Sequence, residues 1–285
     1  MTTADDLEKA AEAEAVIEAL ARTWNPPEFA GFPVSRVTER PHHAKIMIYG
    51  KPGAGKTALA ATAARVPAMS PVLYTVPDAA ELDTLRRWAP EAVTMHIREF
   101  QQYVDVWTEC QRVIGSGGEL PFKTIVVDTG TEAQKLSMRD IMVDLEKTGR
   151  PGGGPVDIDV PSVREWGQSI SQMRRMIRAF RDLPVNFIFV CHEASERNNA
   201  GITWTYPDLP GKLKNQAAGM FSNVLYLYVL EDKQAEGKTK IVTDQRRCLL
   251  TGLTEGYVAK SRTGAFERVL VNSSMDELYE GIVIS

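Results

Sequence analysis

The chain has 285 residues and a mass of 31.6 kDa, with 44% hydrophobic and 25% charged residues. That is enough for one large α/β domain with a sizeable core, so neither a disulfide framework nor a structural metal is needed. The net charge of −4 excludes nucleic-acid binding through overall charge, and three widely spaced cysteines (Cys110, Cys191, Cys248) fit a reducing cytoplasm.

Residues 1–22 carry six acids against Lys9 and Arg22, which accounts for the whole net charge. Any basic surface further on is therefore a local patch. "DDLEKAAEAEAVIEALARTW" reads as an N-terminal acidic helix with a thin apolar stripe of Leu7, Ala11, Val16 and Leu20. "NPPEFAGFP" is a linker, so the expected division is residues 1–31 and a domain over 32–285. No apolar run is long enough to span a bilayer, and no membrane partner is expected.

From Phe32 onward strands and helices alternate, the pattern of a mostly parallel sheet with helices on both faces. "AKIMIYG" is a strand and "KTALAATAARV" the helix after it. "PVLYTVPD" and "AVTMHIR" are further strands, and "EFQQYVDVWTECQRVIG" has helical spacing. "KTIVVDTG" is a buried strand by its β-branched run, with "TEAQKLSMRDIMVDLEK" the next helix. "TGRPGGGPVDIDVP" breaks the periodicity and is a loop. A helix over "SVREWGQSISQMRRMIRAFRDL" and a central strand "VNFIFVCH" follow. "EASERNNAGITWTYPDLPG" reads as a hairpin turning near Asn198–Gly201. "NVLYLYVL", "TKIVTDQ" and "RRCLLTG" then finish the sheet as antiparallel strands.

Gly50-Lys51-Pro52-Gly53-Ala54-Gly55-Lys56-Thr57 matches GxxxxGK[ST] in full, between a strand and a helix that continues with Ala58. The glycines let backbone N–H groups turn inward on phosphates. Lys56 reaches the β/γ oxygens, and the Thr57 hydroxyl is placed to ligate Mg²⁺. Asp128 closes a buried strand at its C-terminal end, where ligands bind in open parallel sheets, and is the expected metal-orienting acid. Thr129 follows it, so the acid that polarises the attacking water must come from elsewhere. Asp78 and Glu81 are the candidates. Asp78, at the strand end, is the nearer, although it could equally cap the next helix. His192 ends a strand where a polar side chain can sense the γ-phosphate. Lys260 and Arg262 alternate in "YVAKSRTGAF" and point the same way if that stretch is extended.

The order of "GKPGAGKT", "VLYTVPDAAE", "TIVVDTGT", "FIFVCHEA" and "AKSRTG" resembles a RecA-type P-loop NTPase core, most of all the phage-encoded RecA/RadA-like ATPases of single-strand annealing recombination. The resemblance covers roughly residues 40–265. It implies ATP and Mg²⁺ as cofactors, with Asp78 or Glu81 as base and His192 as γ-phosphate sensor. Lys260 and Arg262 would be trans-acting residues that enter the site of a neighbour in a homo-oligomer, as a ring or filament. His192 departs from the Gln or Asn of the best-known recombinases. Single-stranded DNA is the implied partner, with a single-strand binding protein as a further one, in the cytoplasm of a host. Two loops near 148–161 and 193–210 would hold the strand. Arg150 lies in the first, and Arg197, Trp204 and Tyr206 in the second, an Arg-plus-aromatic set suited to stacking on bases. A helicase- or remodeller-type motor and a nucleotide-switched binding module are the alternatives.

Overall fold

The computed structural model describes residues 9, 11, 12, 15, 28–35, 42–150, 153, 156–236 and 239–283. The expected acidic helix over residues 5–24 and the glycines Gly152 and Gly154 fall largely or wholly outside them. The chain divides into two compact units, residues 1–42 and 43–285. In the first, part of the expected linker folds as a two-strand hairpin, β1 (Glu28–Phe29) against β2 (Phe32–Pro33). Its turn residues Ala30 and Gly31 both have positive φ, as tight hairpin turns require.

The second unit is built on a ten-stranded sheet. Its strands are β3 (Lys45–Gly50), β4 (Val72–Val76), β5 (Val93–His96), β6 (Thr124–Asp128), β7 (Asn186–Arg197), β8 (Thr203–Pro207), β9 (Asn223–Glu236), β10 (Thr239–Leu250), β11 (Lys260–Ser261) and β12 (Val269–Val271). The main path runs β12-β10-β9-β3-β7-β6-β4-β5, with β8 on β7 and β11 on β9. All pairings from β9 through β3, β7, β6 and β4 to β5 are parallel; those of β8, β10, β11 and β12 are antiparallel. The expected architecture therefore holds: an α/β fold, mostly parallel, with antiparallel strands toward the C-terminal end.

Seven helices lie among the described residues of this unit: α1 (Lys56–Ala61), α2 (Glu81–Trp88), α3 (Gln101–Gly115), α4 (Gly130–Thr148), α5 (Val163–Arg181), α6 (Leu213–Met220) and α7 (Met275–Val283). Strand alternation sends Met47, Tyr49, Phe187 and Phe189 into a core shared with α3, α5 and α6. Ile46, Ile48, Ile188 and Val190 face a second core under α1, α2 and α7. Each face is thus covered, which explains why the central strands read as unbroken apolar runs. Stacked rings of Phe180, Phe187, Phe189 and Phe221 fill the first core.

Two details differ from the sequence reading. "TKIVTDQ" and "RRCLLTG" are one strand, β10, carried past a register shift between Val242 and Asp244 that leaves an extra residue on β10 opposite the consecutive Asp232 and Lys233 of β9. The C-terminal stretch adds β12 at the sheet edge and α7, whose Met275, Leu278 and Ile282 are wholly buried. No helix among the described residues is long and apolar enough to cross a membrane.

Candidate functional site

The cradle forms where β3 ends. Gly50 approaches the neighbouring strand so closely that an added Cβ would stand 2.1 Å from the Leu227 carbonyl oxygen. Gly53 and Gly55 take φ of 79° and 99°, left-handed values that side chains disfavour, and turn the loop into α1. Lys56 begins that helix and folds back to donate from Nζ to the carbonyls of Gly50 (3.0 Å) and Lys51 (2.8 Å). Burial lowers its pKa, and Asp128 and Glu81 work against that shift.

Strand order then assembles the rest. β7 lies between β3 and β6, so Gly50, His192 and Asp128 stand on three adjacent strands. His192 pairs in register with Gly50, and Asp128 with Val190. Asp128 is fully buried, and neither carboxylate oxygen has a hydrogen-bond partner. Burial, reinforced by the Glu81 charge, pushes its pKa up to about 7; the nearby Thr57 hydroxyl, whose proton in this structure goes to Glu81 and not to Asp128, and the Lys56 charge work against that rise. A buried, unpartnered carboxylate is costly unless a cation or proton completes it. Here it lies beside the P-loop threonine, so these residues suit a Mg²⁺ ion bound with a nucleotide.

The two candidate bases separate. Glu81, half-buried at the start of α2, accepts a 2.8 Å hydrogen bond at Oε2 from the Thr57 hydroxyl. Asp78 is exposed, and its Oδ1 accepts from the Ala80 N–H (2.9 Å) in a turn before α2; the helix itself has no side-chain cap, so the expected capping alternative does not form. Thr129 caps α4 by accepting from the Glu132 N–H (3.2 Å). His192 is half-buried with an unpartnered Nδ1; burial and then the Lys56 charge lower its pKa. The ring is therefore neutral at neutral pH and offers one donor and one acceptor.

The remaining predicted residues lie elsewhere. Lys260 pairs with Val224, which pairs with Met47, whereas the cradle starts opposite Leu227. The Arg262 N–H donates to the Ser222 carbonyl, and its Nη2 to that of Gly219 (3.3 Å). Both residues thus sit toward the end of the parallel sheet opposite their own cradle, and only Lys260 is in a strand. Arg150 forms an ion pair with the buried Glu165 (3.2 Å), whose carboxylate also caps α5. In the β7–β8 hairpin, Arg197 donates to the Gly201 carbonyl (2.9 Å) and braces the turn. Tyr206 is buried with the Lys214 ammonium 4.0 Å over its ring, so its face is already taken. Trp204 is the exposed ring of the pair, at 38%.

Sequence reasoning missed Arg247. It comes from β10, and its side chain crosses the cradle so closely that a Cβ on Gly55 would meet Nε at 2.7 Å. Asn272 clamps its backbone from both sides, accepting from the Arg247 N–H (2.9 Å) and donating to its carbonyl (2.7 Å). Arg247 lines a cavity of about 450 Å³ beside Lys51, Pro52 and Gly53, walled by Tyr226 and Tyr228 with Gln245. The two rings stack at 5.6 Å. The available signals were the arginine pair in "TDQRRCLL", exposed side by side just before the buried end of β10, and the tyrosine pair in "LYLY".

A protein-family model described as an AAA domain, AAA_24, matches residues 42–263. No curated protein matches the chain. Among solved structures, the chain is similar to a crystal structure of the RadB recombinase at 12% identity and a TM-score of 0.36, covering 74% of this chain and 84% of that one. It is also similar to a DnaB-like replicative helicase studied in its interactions with primase, at 11% identity and a TM-score of 0.38, covering 76% of this chain and 57% of that one.

Proposed function

The chain belongs to the AAA_24 family of AAA domains, and on that premise we propose that it is a Mg²⁺-dependent ATPase that acts on single-stranded DNA as a homo-oligomer. The observation that carries the ATPase reading is the buried, unpartnered Asp128 carboxylate beside a complete phosphate cradle and the Thr57–Glu81 pair. The phosphates of ATP take backbone N–H groups from the stretch 53–58, which follows Pro52, and Lys56 leaves the Gly50 and Lys51 carbonyls for the β/γ oxygens. Thr57 and Asp128 are the residues that would hold Mg²⁺, which neutralises phosphate charge in such reactions. The base and ribose enter the cavity walled by Tyr226 and Tyr228, with Arg247 over the phosphate side.

In the chemical step, water attacks the γ-phosphorus and gives its proton to a carboxylate as the bond to the ADP oxygen breaks. Glu81 is the better base, because Thr57 already ties it to the cradle while Asp78 is exposed and held in the turn before α2. Neutral His192 senses the γ-phosphate. Lys260 and Arg262 act in trans, since they sit away from their own cradle. A cation of this kind can be worth about 10³–10⁵ in rate. Exposed Trp204 and Arg197 on the hairpin offer stacking and charge to a single strand. The test of the base is a pair of variants. Glu81→Gln should lose turnover and keep nucleotide binding, and Asp78→Asn should keep both; the reverse pattern would return the role to Asp78.

A further inference from the structure

β6 stops at Asp128, opposite Val190, so the His192 N–H has no β6 backbone acceptor on that side. A side chain supplies the missing rung. Thr131 Oγ1, in the first turn of α4, accepts from the His192 N–H (3.1 Å) and donates to the Asp208 carbonyl (3.2 Å). The Asp208 N–H returns to the His192 carbonyl (2.9 Å), closing the ring. Thr131 is buried, at 5% exposure. Its single proton and the lone pair facing His192 are both committed.

The three residues lie where two parts of the molecule meet. On one side, Thr131 stands just past Asp128 and the capping Thr129, so its position follows that of the metal-side carboxylate. On the other, His192 and Asp208 flank the base of the β7–β8 hairpin, whose first pair is Glu193 with Pro207. The same hydroxyl fixes the backbone of His192, and the ring's unpartnered Nδ1 lies within the electrostatic reach of Lys56 and Glu81. A shift of the first turn of α4 therefore moves the histidine and both hairpin strands together.

We propose that Thr131 is a positioning residue, the hydroxyl pivot through which nucleotide at the cradle sets His192 and the β7–β8 hairpin. This rests on the reading that ATP occupies the cradle. Thr131→Val keeps the volume and removes the hydroxyl, and Thr131→Ser restores it. The experiment measures affinity for a fluorescent ATP analogue and hydrogen exchange of residues 193–207, with and without Mg²⁺ and a slowly hydrolysed ATP analogue. Wild type and Thr131→Ser should show slowed exchange in 193–207 on nucleotide binding. Thr131→Val should bind the analogue within about threefold of wild type and lose about tenfold of that slowing, the equivalent of one hydrogen bond. If the valine variant does not fold, Thr131→Ala is read in the same way.

A valine variant that keeps the full nucleotide-dependent slowing would overturn the proposal. So would a wild type that binds nucleotide with no change in 193–207. Failure of wild type to bind nucleotide at all would refute the ATPase reading and this one with it.

Discussion

Replacing Asp128 by Asn should make the nucleotide-free protein more stable above neutral pH while abolishing its turnover. A carboxyl that holds its proton more tightly in the folded chain stabilises the fold fully below pH 4, and that stabilisation is lost as pH rises through 7. For Asp128 the rise from 3.8 to about 7 comes first from burial and then from Glu81. It corresponds to a ceiling of about 4 kcal/mol against the ionised form at high pH. Between pH 5 and pH 8 the stability gap between Asp128→Asn and wild type should widen in the variant's favour by up to about 3 kcal/mol. That is roughly 6–12 °C in Tm for a domain of this size. The amide's own unpaired donors shift both ends of the comparison equally, so the change with pH is the readout. Thermal unfolding at both pH values with EDTA and no nucleotide measures it. Parallel pH profiles for the two proteins would refute the claim that this carboxylate is buried without compensation.

Arg247→Ala should weaken ATP binding about ten- to hundredfold, the worth of a contact to a charged group, with turnover of the bound nucleotide little changed. Titration with a fluorescent ATP analogue checks this, and an unchanged affinity would remove Arg247 from the site. Lys56→Ala and Arg262→Ala proteins should each lack turnover, the second while still binding nucleotide. Mixed, they should regain part of it, because an intact cradle then meets a neighbour with an intact Arg262. A mixture as inactive as its components would count against action in trans.

The cradle and Asp128 were legible because each depends on local chemistry. Glycines permit the turn, and a β-branched run ending in an acid marks a buried strand with its functional end. The apolar stretch up to His192 was legible for the same reason, but the strand does not end there: β7 runs on to Arg197, paired with β8. That Glu81 rather than Asp78 reaches the cradle threonine was not legible, because the Thr57–Glu81 contact spans a strand and a loop whose geometry the spacing does not encode. The Asp78–Ala80 turn bond is local, but it precedes α2 and does not cap it, so the capping alternative that the sequence offered does not form. Tyr206 and Trp204 illustrate a further limit. Both lie on one short strand, yet Lys214 on α6 covers one ring and leaves the other open. Arg247 was hidden because β10 reads as two strands until its long partner β9 is seen beside it.

The most direct test of the account is Mg²⁺-dependent ATP turnover with single-stranded DNA, double-stranded DNA, RNA or no nucleic acid, at two salt concentrations. The account predicts turnover that single-stranded DNA stimulates, with the stimulation falling as salt rises. Turnover indifferent to every nucleic acid would contradict it and leave a motor for a protein partner or a nucleotide-set switch.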